Sequence, residues 1–153
     1  MDVARRFSDR VENYIKYRPG YPAALVDRIF ARANPAAGSA AADIGSGTGI
    51  FTALLLARGL HVYAVEPDLE MREAAERLLG NCDRFASIDG GAERTGLADR
   101  SVDIVTAAQA FHWFDGTRAR GEFRRILRPG GMAALIWNDR KVDSTPFLAD
   151  YDS

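Results

Sequence analysis

From Ser39 onward the chain alternates short apolar runs with amphipathic stretches, the rhythm of parallel strands joined by crossover helices. The runs AAADIG (40–45), HVYAVEP (61–67), DRFASID (83–89), SVDIVTAAQA (101–110) and GMAALIW (131–137) predict five strands, each apolar enough to be central. Between them, IFTALLLARG reads as a helix ended by Gly59. DLEMREAAERLLG reads as a helix with Asp68 as N-cap and Gly80 at its close. DGTRARGEFRRILRPGG sets Phe123, Ile126 and Leu127 on one side of a helix and arginines on the other, with Pro129, Gly130 and Gly131 as the stop. The span from Gly90 to Arg100 has weak periodicity and reads as a loop with one turn. Ahead of the sheet, PAALVDRIFAR has Pro22 at the first helical position and Leu25, Val26, Ile29 and Phe30 on one face, which should pack on the sheet. The pattern predicts one α/β domain: an amino-terminal segment and helix (1–38), a core (39–138) and a tail (139–153).

Composition fits that reading. The 153 residues are 47% hydrophobic and 27% charged, enough to bury about two thirds of the unfolded surface in a single domain. The net charge of −1 lacks the basic footprint that a phosphate backbone demands, so nucleic acid is not favoured as a partner. A single cysteine, Cys82, excludes an intramolecular disulfide and a multi-cysteine zinc site. It reads as an inert thiol beside a turn in a reducing compartment. No apolar run is long enough to span a bilayer and MDVARRFSDRVENY has no apolar stretch of signal-peptide type, so the expectation is a cytoplasmic protein with no membrane partner.

The informative stretch is AADIGSGTGIFTALLLARG, where an acidic residue and three alternating glycines separate a strand from a helix. Such a turn suits a nucleotide, whether dinucleotide, phosphate or another adenosine compound. Gly45, Gly47 and Gly49 form G-x-G-x-G. The dinucleotide fingerprint wants a glycine at position 50, which is Ile50, and the phosphate-cradling loop wants a following Gly-Lys-Ser/Thr, which is missing. Glu66 closes the second strand 21 residues after Gly45, where a carboxylate can accept hydrogen bonds from both hydroxyls of an unmodified ribose. Asp43 would sit at the other end of the ligand, where a carboxylate suits an ammonium. The plainer alternatives are a strand-end carboxylate bonded to nearby backbone N–H groups for Asp43, and an exposed strand terminus for Glu66.

DIGSGTG, VYAVEPDLEM, GGAERTGLADRSVDIV, AQAFHWFD and EFRRILRPGGMAALIW together resemble, in order, the successive motifs of the class I S-adenosyl-L-methionine-dependent methyltransferases. The resemblance is nearest to small-molecule enzymes of the UbiE and trans-aconitate methyltransferase type. YIKYRPGYP resembles their amino-terminal cap. The resemblance implies a Rossmann-like, mostly parallel sheet with flanking helices, and S-adenosyl-L-methionine as cofactor. It implies that Gly45, Gly47 and Gly49 lie against the methionine and ribose portions, that Asp43 supports the methionine end and that Glu66 binds the ribose. Asp68 and Met71 would flank the adenine, Ala92 and Glu93 would lie at its exocyclic edge, and Gln109 would border the methyl group. Arg18 would engage the methionine carboxylate through its planar fork. Two features depart from the family. Gly91 stands where many members have an acidic residue before the Ala-Glu pair. After the fifth strand the chain has only NDRKVDSTPFLADYDS, where the family continues through a helix and a reversed strand hairpin. The expectation is therefore a fifth strand left as a bare apolar edge, in a chain that is a truncated product, a fragment, or a protomer that completes its edge by self-association.

Methyl transfer is an in-line displacement at a carbon activated by positive sulfur, so a protein must align the acceptor, exclude water and, where needed, take a proton. FHWFD (111–115) is the local candidate for that role, with His112 as base and Trp113 and Phe114 as pocket wall. Tyr14 and Tyr21, in the cap sequence, are candidate walls of the acceptor pocket. His112 as a packing residue and the tyrosines as cover for apolar surface are the simpler readings. Three functions compete at this point: methyl transfer to a small organic acceptor, a truncated module that binds the cofactor without catalysis, and a nicotinamide-dependent oxidoreductase, against which Ile50 argues.

Overall fold

A computed structural model describes residues 21–108, 115–138 and 146–152. In chain order the elements are α1 (Ala23–Ala33), β1 (Ala40–Ile44), α2 (Ile50–Ala57), β2 (His61–Val65), α3 (Leu69–Leu79), β3 (Phe85–Ile88), β4 (Val102–Ala108), α4 (Gly116–Ile126), β5 (Leu127–Asn138) and β6 (Pro146–Asp152). The strands form one sheet in the order β3-β2-β1-β4-β5-β6. β1 to β5 are parallel. The chain steps outward from β1 to β3 and then returns to place β4 on the other side of β1. The strand order reverses there, and a crevice opens beyond the carboxyl ends of β1 and β4.

The continuous apolar runs are explained by burial on both faces. Along each strand alternate residues point to opposite sides. Ala41, Val62, Ile104 and Ile136 pack under α1 and α2, joined by Leu25, Val26, Ile29, Phe51 and Leu55. Ala42, Val65, Val105 and Leu135 face the other way, onto Ala119, Phe123 and Ile126 of α4. Pro22 stands one position earlier than the sequence suggests, as the extended residue ahead of α1. Gly59 takes the expected left-handed turn after α2, at φ +90°, whereas Gly80 ends α3 in right-handed conformation.

On the α4 face, the loop before β4 is bolted to the helix. Glu122 Oε2 accepts from the Thr95 amide at 2.8 Å and from the Thr95 hydroxyl at 2.7 Å. Arg125 donates from Nε to Glu122 Oε1 at 2.8 Å, and also reaches Asp99 at 2.6 Å and the Leu97 carbonyl at 2.7 Å.

Two expectations are corrected at the carboxyl-terminal side. The Pro-Gly-Gly stretch does not delay β5 until residue 131. Leu127 already pairs with Val102, and the register then jumps to Ile104↔Met132, so Arg128 to Gly131 form a bulge within the strand. Burial of Leu127 (3% exposed) holds the chain to the sheet where the turn-forming residues would release it. Nor is β5 a bare edge. β6 runs antiparallel along it from Met132↔Asp152 to Asn138↔Pro146. The reversed strand β6 pairs with the outer backbone groups of β5 along this register. Among the described residues the outer edges of the sheet are β3 and β6. No helix among them is long and apolar enough to cross a membrane.

Candidate functional site

The turn after β1 is built on left-handed glycines, with φ of +67° at Gly45, +59° at Gly47 and +93° at Gly49. Its amides are engaged within the protein. Gly45 and Ser46 donate to the Val65 carbonyl at 2.8 and 3.2 Å, and Gly49 donates to the Ser46 carbonyl at 3.1 Å. Gly47 donates to Glu66 Oε1 at 2.8 Å. The second Glu66 oxygen accepts from the Asp68 amide at 2.9 Å. Both oxygens of Glu66 are thus held by main chain, and the side chain is 8% exposed. Arg72 stiffens this corner from α3. It donates to the Glu66 and Pro67 carbonyls, each at 3.0 Å, and pairs with Asp89 at 3.1 Å. Asp68 caps α3 as its sequence position predicts, accepting from the Met71 amide at 3.0 Å.

The crevice beyond β1 and β4 has a volume of about 330 Å³. Asp43, Gly45, Gly47, Met71 and Tyr21 form part of its wall, with Ser46, Thr48, Ile50, Phe51 and Ala108. Asp43 is 1% exposed, and its two oxygens accept from the hydroxyls of Thr52 (2.6 Å) and Thr106 (2.9 Å). Neither reading of the sequence foresees these hydroxyls, since the plainer alternative has backbone amides as the partners. Burial pushes the Asp43 carboxyl up to about 6, against the lowering effect of the two hydroxyls and with a smaller push from Glu66. Tyr21 packs edge-to-face on Phe51, with ring centres 5.1 Å apart. Burial, aided by the charge of Asp43, pushes its phenol up to about 12.

The other candidate residues fall in three places. Gly49 is off the crevice wall. A Cβ there would stand 2.8 Å from Leu79 Cδ1 and 3.3 Å from Ala75 Cβ, so its small size serves the packing of α3. Ala92 is 1% exposed and packs in the core on the α4 face. The carboxylate of Glu93 accepts from the Asp115 amide at 2.8 Å, tying the loop after β3 to the start of α4. Neither residue is on the crevice wall, nor are Glu66 and Asp68, of which Glu66 touches the wall through the Gly47 amide. Tyr14, Arg18, Gln109, His112, Trp113 and Phe114 lie outside the described residues. The contributors that sequence reasoning misses are Thr52, Thr106 and Arg72. The first two carried a signal: a threonine inside the apolar run IFTALLLA and another inside the buried strand SVDIVTAAQA each need a hydrogen-bond partner.

Comparison with known proteins places this geometry. Residues 42–135 match the methyltransferase domain family. An uncharacterized methyltransferase of Mycobacterium tuberculosis is 41% identical over 139 residues, which is 91% of this chain and 54% of the relative. An uncharacterized methyltransferase of Schizosaccharomyces pombe is 31% identical over 95% of this chain and 57% of its own length. The chain therefore spans about half the length of these relatives. Among solved structures, a protein of Anabaena variabilis, provisionally named as a methyltransferase from an antibiotic biosynthesis pathway, superposes with a TM-score of 0.67 at 36% identity. That match covers 77% of this chain and 46% of the other. Geranyl diphosphate C-methyltransferase from Streptomyces coelicolor, solved with S-adenosyl-L-homocysteine, shares the fold alone, with a TM-score of 0.68 at 19% identity over 75% of this chain and 43% of the other. The chain belongs to the methyltransferase domain family and has the Rossmann-like fold of the class I S-adenosyl-L-methionine-dependent methyltransferases.

Proposed function

We propose that this chain is the cofactor-binding core of a methyltransferase that uses S-adenosyl-L-methionine to methylate a small organic acceptor. One observation carries the reading: the amides of Gly45, Ser46, Gly47 and Gly49 are engaged internally, and two carboxylates, Asp43 and Glu66, flank the turn. A pyrophosphate needs free N–H groups and no nearby anion. The complementary ligand here is a nucleoside with no phosphate and with positive charge at its far end. Each Glu66 oxygen accepts one amide and keeps a lone pair for a ribose hydroxyl, so the residues fit this cofactor.

When bound, the cofactor supplies a methyl carbon activated by positive sulfur. The chain's own residues orient and shelter it. Glu66 would hold the sugar, Asp43 would draw the ammonium of the amino-acid end, and the thioether of Met71, 45% exposed, would be free to pack on the adenine. Tyr21 and Phe51 form an apolar wall that keeps water from the reaction. With its phenol pushed up to about 12, Tyr21 stays protonated near neutrality and serves as a hydrogen-bond donor, not as the base. Gln109, His112, Trp113 and Phe114 follow the carboxyl end of β4, the position from which an acceptor pocket is approached in open α/β sheets. A net charge of −1 supports a small acceptor over a nucleic acid.

Incubation with methyl-labelled S-adenosyl-L-methionine and a fractionated metabolite pool tests the reading. Label should pass to a low-mass organic product. Micromolar binding of the cofactor with no transfer, by this chain or by a chain of the relatives' full length, would instead favour a non-catalytic binding module.

A further inference from the structure

We propose that Thr52 and Thr106 are positioning residues that hold Asp43 as an anion aimed into the crevice, so that binding of the donor's ammonium end depends on both hydroxyls. The proposal rests on the reading of the crevice as an S-adenosyl-L-methionine site and names the device that keeps its amino-acid end charged. The geometry is specific. Asp43 leaves β1 into a dry environment, and both threonines are fully buried, one from the first turn of α2 and one from the middle of β4. Each hydroxyl donates to a different carboxylate oxygen. No amide or cation among the described residues is bonded to Asp43, which a buried carboxylate normally requires. Of the titratable groups that face it, Glu66 from the end of β2 makes its negative charge less favourable, while Tyr21 ahead of α1 stays protonated and uncharged near neutrality.

Two neutral donors are thus what opposes burial and keeps the charge within reach of neutral pH. A hydroxyl suits the role because it rotates. It donates to the carboxylate, and when Asp43 takes up a proton one threonine oxygen can accept that proton's hydrogen bond. The crevice is then an attractive site for an ammonium when Asp43 is ionised and a neutral one when it is not. Affinity should be full above the Asp43 titration near pH 6 and should fall as pH drops through it. Replacing either threonine by valine keeps the shape, removes one donor and moves that fall to higher pH.

The test is calorimetric titration from pH 5 to pH 8.5 with two probes. S-adenosyl-L-homocysteine carries the ammonium, and 5′-methylthioadenosine has the same nucleoside without the amino-acid end. For Thr52→Val and Thr106→Val the homocysteine profile should move up by about one pH unit, so that binding is roughly five- to tenfold weaker than wild type between pH 5 and 6 and converges by pH 8.5. Methylthioadenosine binding should stay within about twofold of wild type, which shows that the variants are folded, and Thr52→Ser and Thr106→Ser should restore the wild-type profile. Asp43→Asn should flatten the profile. Unmoved profiles in both valine variants, or a pH dependence that survives in Asp43→Asn, would overturn the proposal while leaving the cofactor site standing. Failure of the wild-type chain to bind either probe would overturn both.

Discussion

Two carboxylates, one on each face of the sheet, are solved in opposite ways. Glu122, on α4, is enclosed by donors from its own fold: the Thr95 amide and hydroxyl and the Arg125 guanidinium. The hydrogen bonds of Arg125, and then those of Thr95, hold its carboxyl down to about 2. Asp43 is buried more deeply and, among the described residues, accepts from two hydroxyls and no cation, and burial pushes it up to about 6. The difference separates a carboxylate that the fold completes by itself from one whose proposed role is to receive a positive group from outside. The two also act on stability in opposite senses. With its folded value below the ordinary 4.5, Glu122 stabilises the fold above that pH, and this support is lost as pH falls through about 2. With its folded value above the ordinary 3.8, Asp43 favours folding below that pH, and this support is lost as pH rises through about 6.

Cutting the structural clamp should do the most damage. Glu122→Ala leaves the amide and hydroxyl of the fully buried Thr95 without their acceptor, while Arg125 keeps Asp99 and the Leu97 carbonyl, and should destabilise the protein by about 2–3 kcal/mol in urea unfolding. A loss under about 0.5 kcal/mol would show that the clamp is ornamental. Next comes Gly49→Ala, which forces a side chain into φ +93° and against Leu79 and should cost about 2 kcal/mol of stability. If cofactor binding fell while stability held, Gly49 would belong with the crevice after all. The mildest change is on the functional side. Asp43→Asn removes a buried charge and should raise stability at pH 8 by about 1 kcal/mol, with the difference from wild type fading by pH 4. A variant less stable than wild type at pH 8 would mean that a cation within the protein already completes Asp43.

The sequence carried most of the sheet and only part of the site. Strands buried on both faces are near-continuous apolar runs, so β1, β2 and β4 were visible by composition, and the half-buried edge strand β3 by its short apolar core FASI. β6 was not, because PFLADYD has neither a long apolar run nor strict alternation and takes its place from pairing with β5. The bulge in β5 was hidden for a related reason: Arg-Pro-Gly-Gly is a turn signal locally, and only the burial of Leu127 overrides it. Within the site, the glycine turn and Asp68 were readable because φ preference and capping are local properties. The partners of Asp43 and Glu122 were not readable, since Thr106 is 63 residues from Asp43 in sequence and Thr95 is 27 from Glu122. Gly49 shows the converse hazard. It belongs to the motif by spacing, yet its size is dictated by Leu79 and Ala75 on the next helix.

The proposed function stands on Glu66, which is locked by the Gly47 and Asp68 amides and whose proposed role is to hold the sugar of an adenosyl sulfonium donor. The deciding measurement is calorimetry of S-adenosyl-L-homocysteine with wild-type protein and with Glu66→Ala, each shown to be folded by circular dichroism. Wild-type protein should bind measurably, and the substitution should weaken binding by roughly 1–3 kcal/mol. Equal affinity in the two proteins would remove Glu66 from the site and the sugar-binding role with it.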